Sequence, residues 1–105
     1  MQELERQLRG RMMDVTRICQ KELRWNPTRA VQMINEHGAA EAARIMVLTP
    51  NGTDGFARCW EEGRLELSVE HIILEPKFSP LFTEDVLQVA RDRLEQARLN
   101  PPRRT

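Results

Sequence analysis

The sequence lacks the features by which membrane-spanning and exported proteins are recognised. It contains no run of about 18 apolar residues, which a membrane-spanning helix needs. Its first residues, MQELERQLRGRM, have no apolar centre of the kind found in a secretory signal, so we expect a cytoplasmic protein. Tyrosine is absent and phenylalanine occurs three times, so few aromatic rings are available to hold the elements of the fold together.

Cysteine and histidine are also scarce. The two cysteines, Cys19 and Cys59, lie far apart in apolar stretches, and a reducing compartment would keep them as thiols. The two histidines, His37 and His71, lie at no zinc-ligand spacing from each other or from a cysteine. No glycine-rich loop ends in the Gly-Lys-Ser/Thr of a phosphate-binding motif. We therefore expect no disulfide, no metal and no cofactor, and we favour a protein that is not an enzyme. The enzymatic alternative is a compact hydrolase or transferase, for example with Cys59 as nucleophile and His71 as base.

The formal net charge is zero, which argues against a nucleic-acid binder that works by a large basic excess. Acidic and basic residues are nevertheless separated along the chain. The middle, residues 51–90, has eight acidic residues against three basic ones: Asp54, Glu61, Glu62, Glu66, Glu70, Glu75, Glu84 and Asp85 against Arg58, Arg64 and Lys77. The sequence thus predicts an acidic centre flanked by arginine-rich ends.

The length of 105 residues, of which 40% are apolar, suits one hydrophobic core. Apolar residues spaced three and four apart predict an all-α, compact bundle of five or six helices, in which long first and last helices bracket shorter ones. The first helix should cover Gln2 to Arg24. We expect a single helical domain over residues 1–100 and a flexible basic tail over 101–105, since Asn100-Pro101-Pro102 ends the last helix.

Several capping residues predict where the later helices begin. Asn26, Asp54, Ser68 and Thr83 each precede or open an apolar, helix-like stretch, and their side chains are good N-caps. The turn at Asn51-Gly52 leaves an alternative open, because IMVLT and GFARCW would form the two strands of a hairpin about it. A helical connection is favoured, since ARCWEEG has no β-branched residue.

The segment Gly55 to Leu94 resembles a family of small uncharacterised bacterial proteins. The resemblance rests on GF-x-x-x-W-E-E-G-R-L-x-L-S-V-E followed by L-F-T, and the stretch from Trp25 to Gly38 is also similar. It implies a bacterial or phage origin and a free-standing, mostly helical domain. It implies no activity and no site residue, because no function is established for that family.

We predict a non-enzymatic protein-interaction module, a bacterial or phage regulator or inhibitor that recognises a basic partner through its acidic centre. The predicted partner-binding residues are the central acids and the aromatic side chains near them: Trp60, Glu61, Glu62, Glu66, Glu70, Phe78 and Phe82. The alternative is a small nucleic-acid-associated protein that uses arginines near both termini: Arg6, Arg9, Arg17, Arg103 and Arg104.

The first helix also predicts a homodimer. Its apolar stripe is longer than the short central helices can cover, and a two-fold dimer is the commonest way to bury such a surface. The residues assigned to this interface are Leu4, Leu8, Met12, Val15 and Cys19.

Overall fold

Six α-helices and two short 3-10 helices make up the computed structural model, which describes residues 2–102. The α-helices are α1 (Gln2–Glu22), α2 (Thr28–His37), α3 (Ala39–Leu48), α4 (Asp54–Glu61), α5 (Val69–Ile73) and α6 (Glu84–Leu99). The 3-10 helices, Leu65–Leu67 and Ser79–Leu81, precede α5 and α6 respectively. This is the predicted all-α bundle with long first and last helices. None of the helices within residues 2–102 combines the length and the apolar character needed to cross a membrane.

Helix α3 lies at the centre of the bundle. It packs against α1, α2, α5 and α6. Its inward residues include Ala39, Ala42 and Ala43, each at most 1% exposed. Alanine is both a strong helix former and the smallest side chain with a Cβ, so the neighbouring helices can approach the α3 backbone closely. The alanine-rich stretch therefore forms the core helix around which the longer helices are arranged.

The two ends of α3 are held by the first and last helices. At its N-terminus, the Glu5 carboxylate of α1 accepts a hydrogen bond from the Ala40 amide at 2.5 Å. At its C-terminus, Arg93 of α6 donates to the carbonyl oxygens of Val47 and Thr49, at 2.5 and 3.0 Å. These contacts place a negative group at the positive end of the helix dipole and a positive group at its negative end.

Arg93 also forms a buried ion pair. Its Nη1 lies 2.8 Å from Oε2 of Glu70 in α5, whose side chain is 0% exposed. The second oxygen, Oε1, is buried without a hydrogen-bond partner within residues 2–102. Burial raises the pKa of Glu70, and the hydrogen bond from Arg93 opposes that rise. One guanidinium thus connects α3, α5 and α6.

The predicted capping positions are confirmed at Ser68 and Thr83 and are one residue off at Asn26 and Asp54. Ser68 caps α5, since its hydroxyl accepts a hydrogen bond from the His71 amide. Helix α4 is capped by Thr53 rather than by Asp54, because the Thr53 hydroxyl accepts from the Phe56 amide at 3.1 Å. Thr83 is the N-cap residue of α6, although its side chain makes no capping hydrogen bond. The N-cap residue of α2 is Pro27 instead of Asn26.

The hairpin alternative at Asn51-Gly52 is wrong. These residues join α3 to α4, and no strand occurs anywhere in residues 2–102. Asn51 and Gly52 both have positive φ values, 64° and 82°, which glycine adopts freely and asparagine tolerates. The turn chemistry was therefore interpreted correctly, but it connects two helices.

The predicted dimer surface is also corrected. Leu8, Met12, Val15 and Cys19 are at most 7% exposed, because α2, α3 and α5 cover the α1 stripe within one chain. Leu4 alone among the five is partly exposed. Most of the stripe is therefore used in packing within one chain.

Candidate functional site

A cavity of about 470 Å³ lies between α1, α2, α3, α4 and α5 and opens to solvent on one side. Its walls are mainly apolar and include Met12, Trp25, Ile34, Met46 and Phe56. Cavities of roughly 300–1,000 Å³ that are mostly apolar and carry a few polar groups are the usual binding sites of proteins. Two other depressions, of about 580 and 400 Å³, also fall in this range but are more open to solvent. The more enclosed cavity between α1 and α5 is therefore the best candidate for a functional site.

The sulfur-containing side chains are concentrated on this wall. Cys19, Cys59, Met12, Met33 and Met46 all border the cavity, although only Met33 is partly exposed and the other four are at most 5% exposed. Methionine is flexible and polarizable, so a methionine wall adapts its shape to different apolar occupants. The composition of the wall thus suits binding of an apolar group better than it suits catalysis.

The rim of the cavity is polar. Asn26, Thr28, Arg29 and Asp54 line it, and all four are exposed. Arg29 and Asp54 form no ion pair within residues 2–102, so one unpaired cation and one unpaired anion border the same opening. A ligand that enters here meets hydrogen-bond donors and acceptors and one charged side chain of each sign.

Trp25 forms the part of the wall that faces α4. Its ring edge lies 3.2 Å from the place where a Cβ on Gly55 would stand. Glycine at position 55 therefore allows α4 to begin directly against the indole ring. Any larger residue there would push Trp25, and with it one wall of the cavity.

The cavity does not activate its cysteines. Burial raises the pKa of the Cys59 thiol to about 12, and burial raises the pKa of Cys19 as well. A nucleophilic cysteine needs the opposite shift, because the thiolate is the reactive form. His71 does not line the cavity. The enzymatic alternative built on Cys59 and His71 therefore receives no support from the geometry.

The predicted acidic surface is smaller than the sequence suggested. Three of the predicted contact residues are exposed, namely Glu61, Glu62 and Glu66. Trp60 is partly exposed, and its indole Nε1 donates to the carbonyl oxygen of Asn100 at 2.8 Å. Glu62 lies 3.7 Å from Arg58 and Glu66 lies 2.6 Å from Arg64, so arginines compensate part of the negative charge. The hydrogen bond from Arg64 lowers the pKa of Glu66.

Two of the predicted contact residues are not on the surface. Glu70 is buried in its pair with Arg93, and Phe78 is 3% exposed in the core. Phe82 is only partly exposed. The physical reason is the same for Glu70 and Phe78, since α5 and the segment after it pack onto α6 and α3 with these side chains inward. Both assignments are therefore corrected from surface contacts to core residues.

The arginines of the nucleic-acid alternative are occupied by neighbours in the chain. Arg6 pairs with Glu3 and Arg17 with Asp14, and Arg9 donates to Asn35 at 2.6 Å. The tail residues Arg103 and Arg104 lie outside the described residues. Arg6 and Arg17 are thus paired with carboxylates, whereas Arg9 bonds to a neutral amide and keeps its charge uncompensated by that contact.

One residue of the sequence, Trp25, indicated the position of the cavity. Trp25 stands at the junction of α1 and α2, and a large aromatic residue beside Asn26-Pro27 marks a place where two helices diverge. Met33, Met46 and Phe56 gave no comparable signal, because their apolar character is equally consistent with a filled core. No model of a protein family, no curated protein and no solved structure matches this chain.

Proposed function

We propose that the protein is a non-enzymatic protein-interaction module, and that its cavity receives an apolar side chain from a short segment of a partner protein. The observation that carries this proposal is the half-open cavity of about 470 Å³ with its methionine-rich wall. It replaces the acidic surface as the recognition site, since Glu70 and Phe78 are buried and arginines compensate Glu62 and Glu66.

The rim favours a peptide over a fatty acid or another singly charged amphiphile. A peptide carries amide donors and carbonyl acceptors and often charges of both signs, which match Asn26, Thr28, Arg29 and Asp54. An anionic head group would be attracted by Arg29 but repelled by Asp54 at the same opening. The wall thus selects an apolar anchor, and the rim selects the polar backbone around it.

Peptide selection followed by fluorescence tests this proposal. Trp25 lines the cavity and Trp60 does not, so a Trp60→Phe variant leaves one indole that reports on occupancy. A library of short displayed peptides should yield binders that share a bulky apolar residue, and each should change the Trp25 emission on binding. The matched Trp25→Phe variant, in which Trp60 is the only indole, should show little change.

A variant that fills the cavity provides the control. Ala30 lines the cavity on α2, and Ala30→Phe should abolish peptide binding. Ala57 is exposed on α4 and lies outside this cavity, so Ala57→Phe should leave binding intact. Circular dichroism should show that both variants are folded. Peptides that bind Ala30→Phe as tightly as the unmodified protein would overturn the assignment of the cavity.

Two other results would also overturn the proposal. A fatty acid that displaces every selected peptide, and binds more tightly than all of them, would make the protein a carrier of small amphiphiles. Tight binding to duplex DNA at moderate salt, lost when Arg6, Arg9 and Arg17 are replaced by alanine, would establish the nucleic-acid alternative.

A further inference from the structure

A second depression, the α4–α6 groove, lies between α4 and the C-terminal half of α6. It has a volume of about 580 Å³ and is more open to solvent than the cavity. Its apolar lining consists of Phe56, Ala57, Trp60, Val89 and Ala97. Ala57 is exposed and the other four are partly exposed, so these side chains form a surface that a partner can reach.

Two contacts between the helices mark the ends of the α4–α6 groove. The centroid of the Phe56 ring lies 6.0 Å from the guanidinium carbon of Arg93. The Trp60 indole donates to the carbonyl oxygen of Asn100 at 2.8 Å. Since a helix rises about 1.5 Å per residue, Arg93 and Asn100 lie about 10 Å apart along α6. The groove is therefore long enough for an extended side chain to lie in it.

One negative charge in the α4–α6 groove is not matched by a cation. Asp92 lines the groove, is exposed, and accepts a hydrogen bond at 2.8 Å from the neutral amide of Gln88. It forms no ion pair with any of residues 2–102. Arg93 also lines the groove, but its charge is paired with Glu70 and it donates to two backbone carbonyls. The groove therefore attracts a positive group.

The other lining residues indicate which positive group fits. Trp60 is partly exposed, and no cation of residues 2–102 lies against its ring. A guanidinium group stacks on aromatic rings and binds a carboxylate through two parallel hydrogen bonds, whereas an ammonium group acts as a point charge. The aliphatic stem of a long basic side chain also packs along apolar surface. A phosphate or carboxylate ligand would instead be repelled by Asp92. The chemistry of the groove thus favours arginine.

We propose that the α4–α6 groove binds an arginine side chain of a partner protein. The guanidinium pairs with Asp92, and the aliphatic stem lies against the apolar lining and the Trp60 ring. The side-chain amides of Asn51 and Gln96, which also line the groove, bind the partner's backbone. The groove shares only Phe56 with the cavity between α1 and α5, so this proposal does not depend on peptide binding in that cavity.

Nuclear magnetic resonance separates the two surfaces, because Trp25 borders the cavity and Trp60 borders the groove. The ¹⁵N-labelled protein is titrated with the peptide acetyl-Gly-Arg-Gly-amide at moderate salt, which screens distant charges. We expect the Trp60 indole N–H signal to shift and the Trp25 signal to stay. The Kd should be on the order of 1 mM, because an exposed ion pair and a stacking contact each contribute little. The matched peptide with citrulline, which has the shape of arginine without its charge, should shift neither signal.

Two pairs of variants test the groove itself. Asp92→Asn removes the proposed ion pair and should weaken binding of the arginine peptide about two- to fivefold, as expected for an exposed pair. Glu95→Gln removes an exposed carboxylate of α6 that does not line the groove, so it should leave the affinity unchanged. Ala57→Phe fills the groove and should abolish the Trp60 shift, whereas Ala30→Phe fills the cavity and should not. Circular dichroism shows whether each variant is folded.

The proposal is overturned if the arginine peptide leaves the Trp60 signal in place at concentrations well above the expected Kd, or if the citrulline peptide shifts it equally. Equal affinity of Asp92→Asn and the unmodified protein would also refute it. Self-association that is lost in Asp92→Asn would make a second copy the occupant, contrary to the proposal. Apolar peptides selected for the cavity are followed by the Trp25 signal, so each proposal fails or stands by its own measurement.

Discussion

Replacing Arg93 by methionine should be among the most damaging single changes in this protein. The substitution leaves the Glu70 carboxylate without its cation. It also removes the Arg93 donor from the carbonyl oxygens of Val47 and Thr49, of which the second keeps its hydrogen bond from the Gly52 amide. Since the Arg93 and Glu70 side chains are 15% and 0% exposed, solvent screens their interaction little. Breaking such a buried pair costs about 3–5 kcal/mol of unfolding free energy.

That loss is large against the total stability of a domain of this size, which is about 5–15 kcal/mol. At about 4–8 °C per kcal/mol, the melting temperature should fall by roughly 12–40 °C. The loss should be smallest in acid, where Glu70 is protonated, and should grow as the pH rises and the unpaired carboxyl becomes harder to keep neutral.

Urea unfolding followed by circular dichroism at several pH values measures this loss. Arg93→Lys is the matched control. Lysine keeps the charge but lacks the planar guanidinium group that donates to Val47, Glu70 and Thr49 at once. It should therefore destabilise the protein less than methionine does. A loss below about 1 kcal/mol for Arg93→Met, the value typical of an exposed salt bridge, would refute the central role given to this residue.

Three further predictions follow from other contacts. Burial raises the folded-state pKa of Glu70 above its ordinary value of 4.5. The unmodified protein should therefore lose stability relative to Glu70→Gln as the pH rises from 4.5 through that higher pKa. Parallel pH profiles of the two proteins would contradict this prediction. Glu5→Ala should lower the unfolding free energy by about 0.5–2 kcal/mol, because it removes the carboxylate that accepts the hydrogen bond from the Ala40 amide at the start of α3. Glu3→Ala, which breaks the exposed pair with Arg6, should cost less than about 0.5 kcal/mol in the same thermal scan. Leu8→Ala should lower the unfolding free energy by about 2–5 kcal/mol, since Leu8 is 0% exposed. The unmodified protein should sediment as a monomer at micromolar concentration. A dimer in that experiment would show that a surface other than the buried α1 stripe holds two copies together.

The fold was predictable because its signals are local. Apolar spacing along α1 and the cap at Ser68 depend on a few neighbouring residues, and both predicted the structure correctly. Asn51-Gly52 was ambiguous, since a turn with positive φ values joins strands and helices equally well. Leu8, Met12, Val15 and Cys19 were wrongly assigned to a dimer surface because the length of an apolar stripe gives no information on how many helices of the same chain will cover it.

The candidate site was less predictable because it depends on contacts between distant residues. Glu70 belongs to a run of acidic residues in the sequence, and only its packing against Arg93, 23 residues later, removes it from the surface. The same holds for Cys19 and Cys59, whose common cavity follows from the placement of α1 beside α4. The identity of an acidic or sulfur-containing residue does not by itself indicate whether the side chain faces solvent or the interior.

The connection of α3 to Arg93 has a consequence for the order in which the chain folds. During synthesis, α3 leaves the ribosome long before α6, since the arginine that holds the Val47 carbonyl lies 46 residues later. Until then the C-terminal carbonyls of α3 and the carboxyl of Glu70 have no cation to pair with. The packing around the C-terminus of α3 is therefore completed only when the last helix is present, and an incomplete nascent chain should be sensitive to proteases until α6 has emerged.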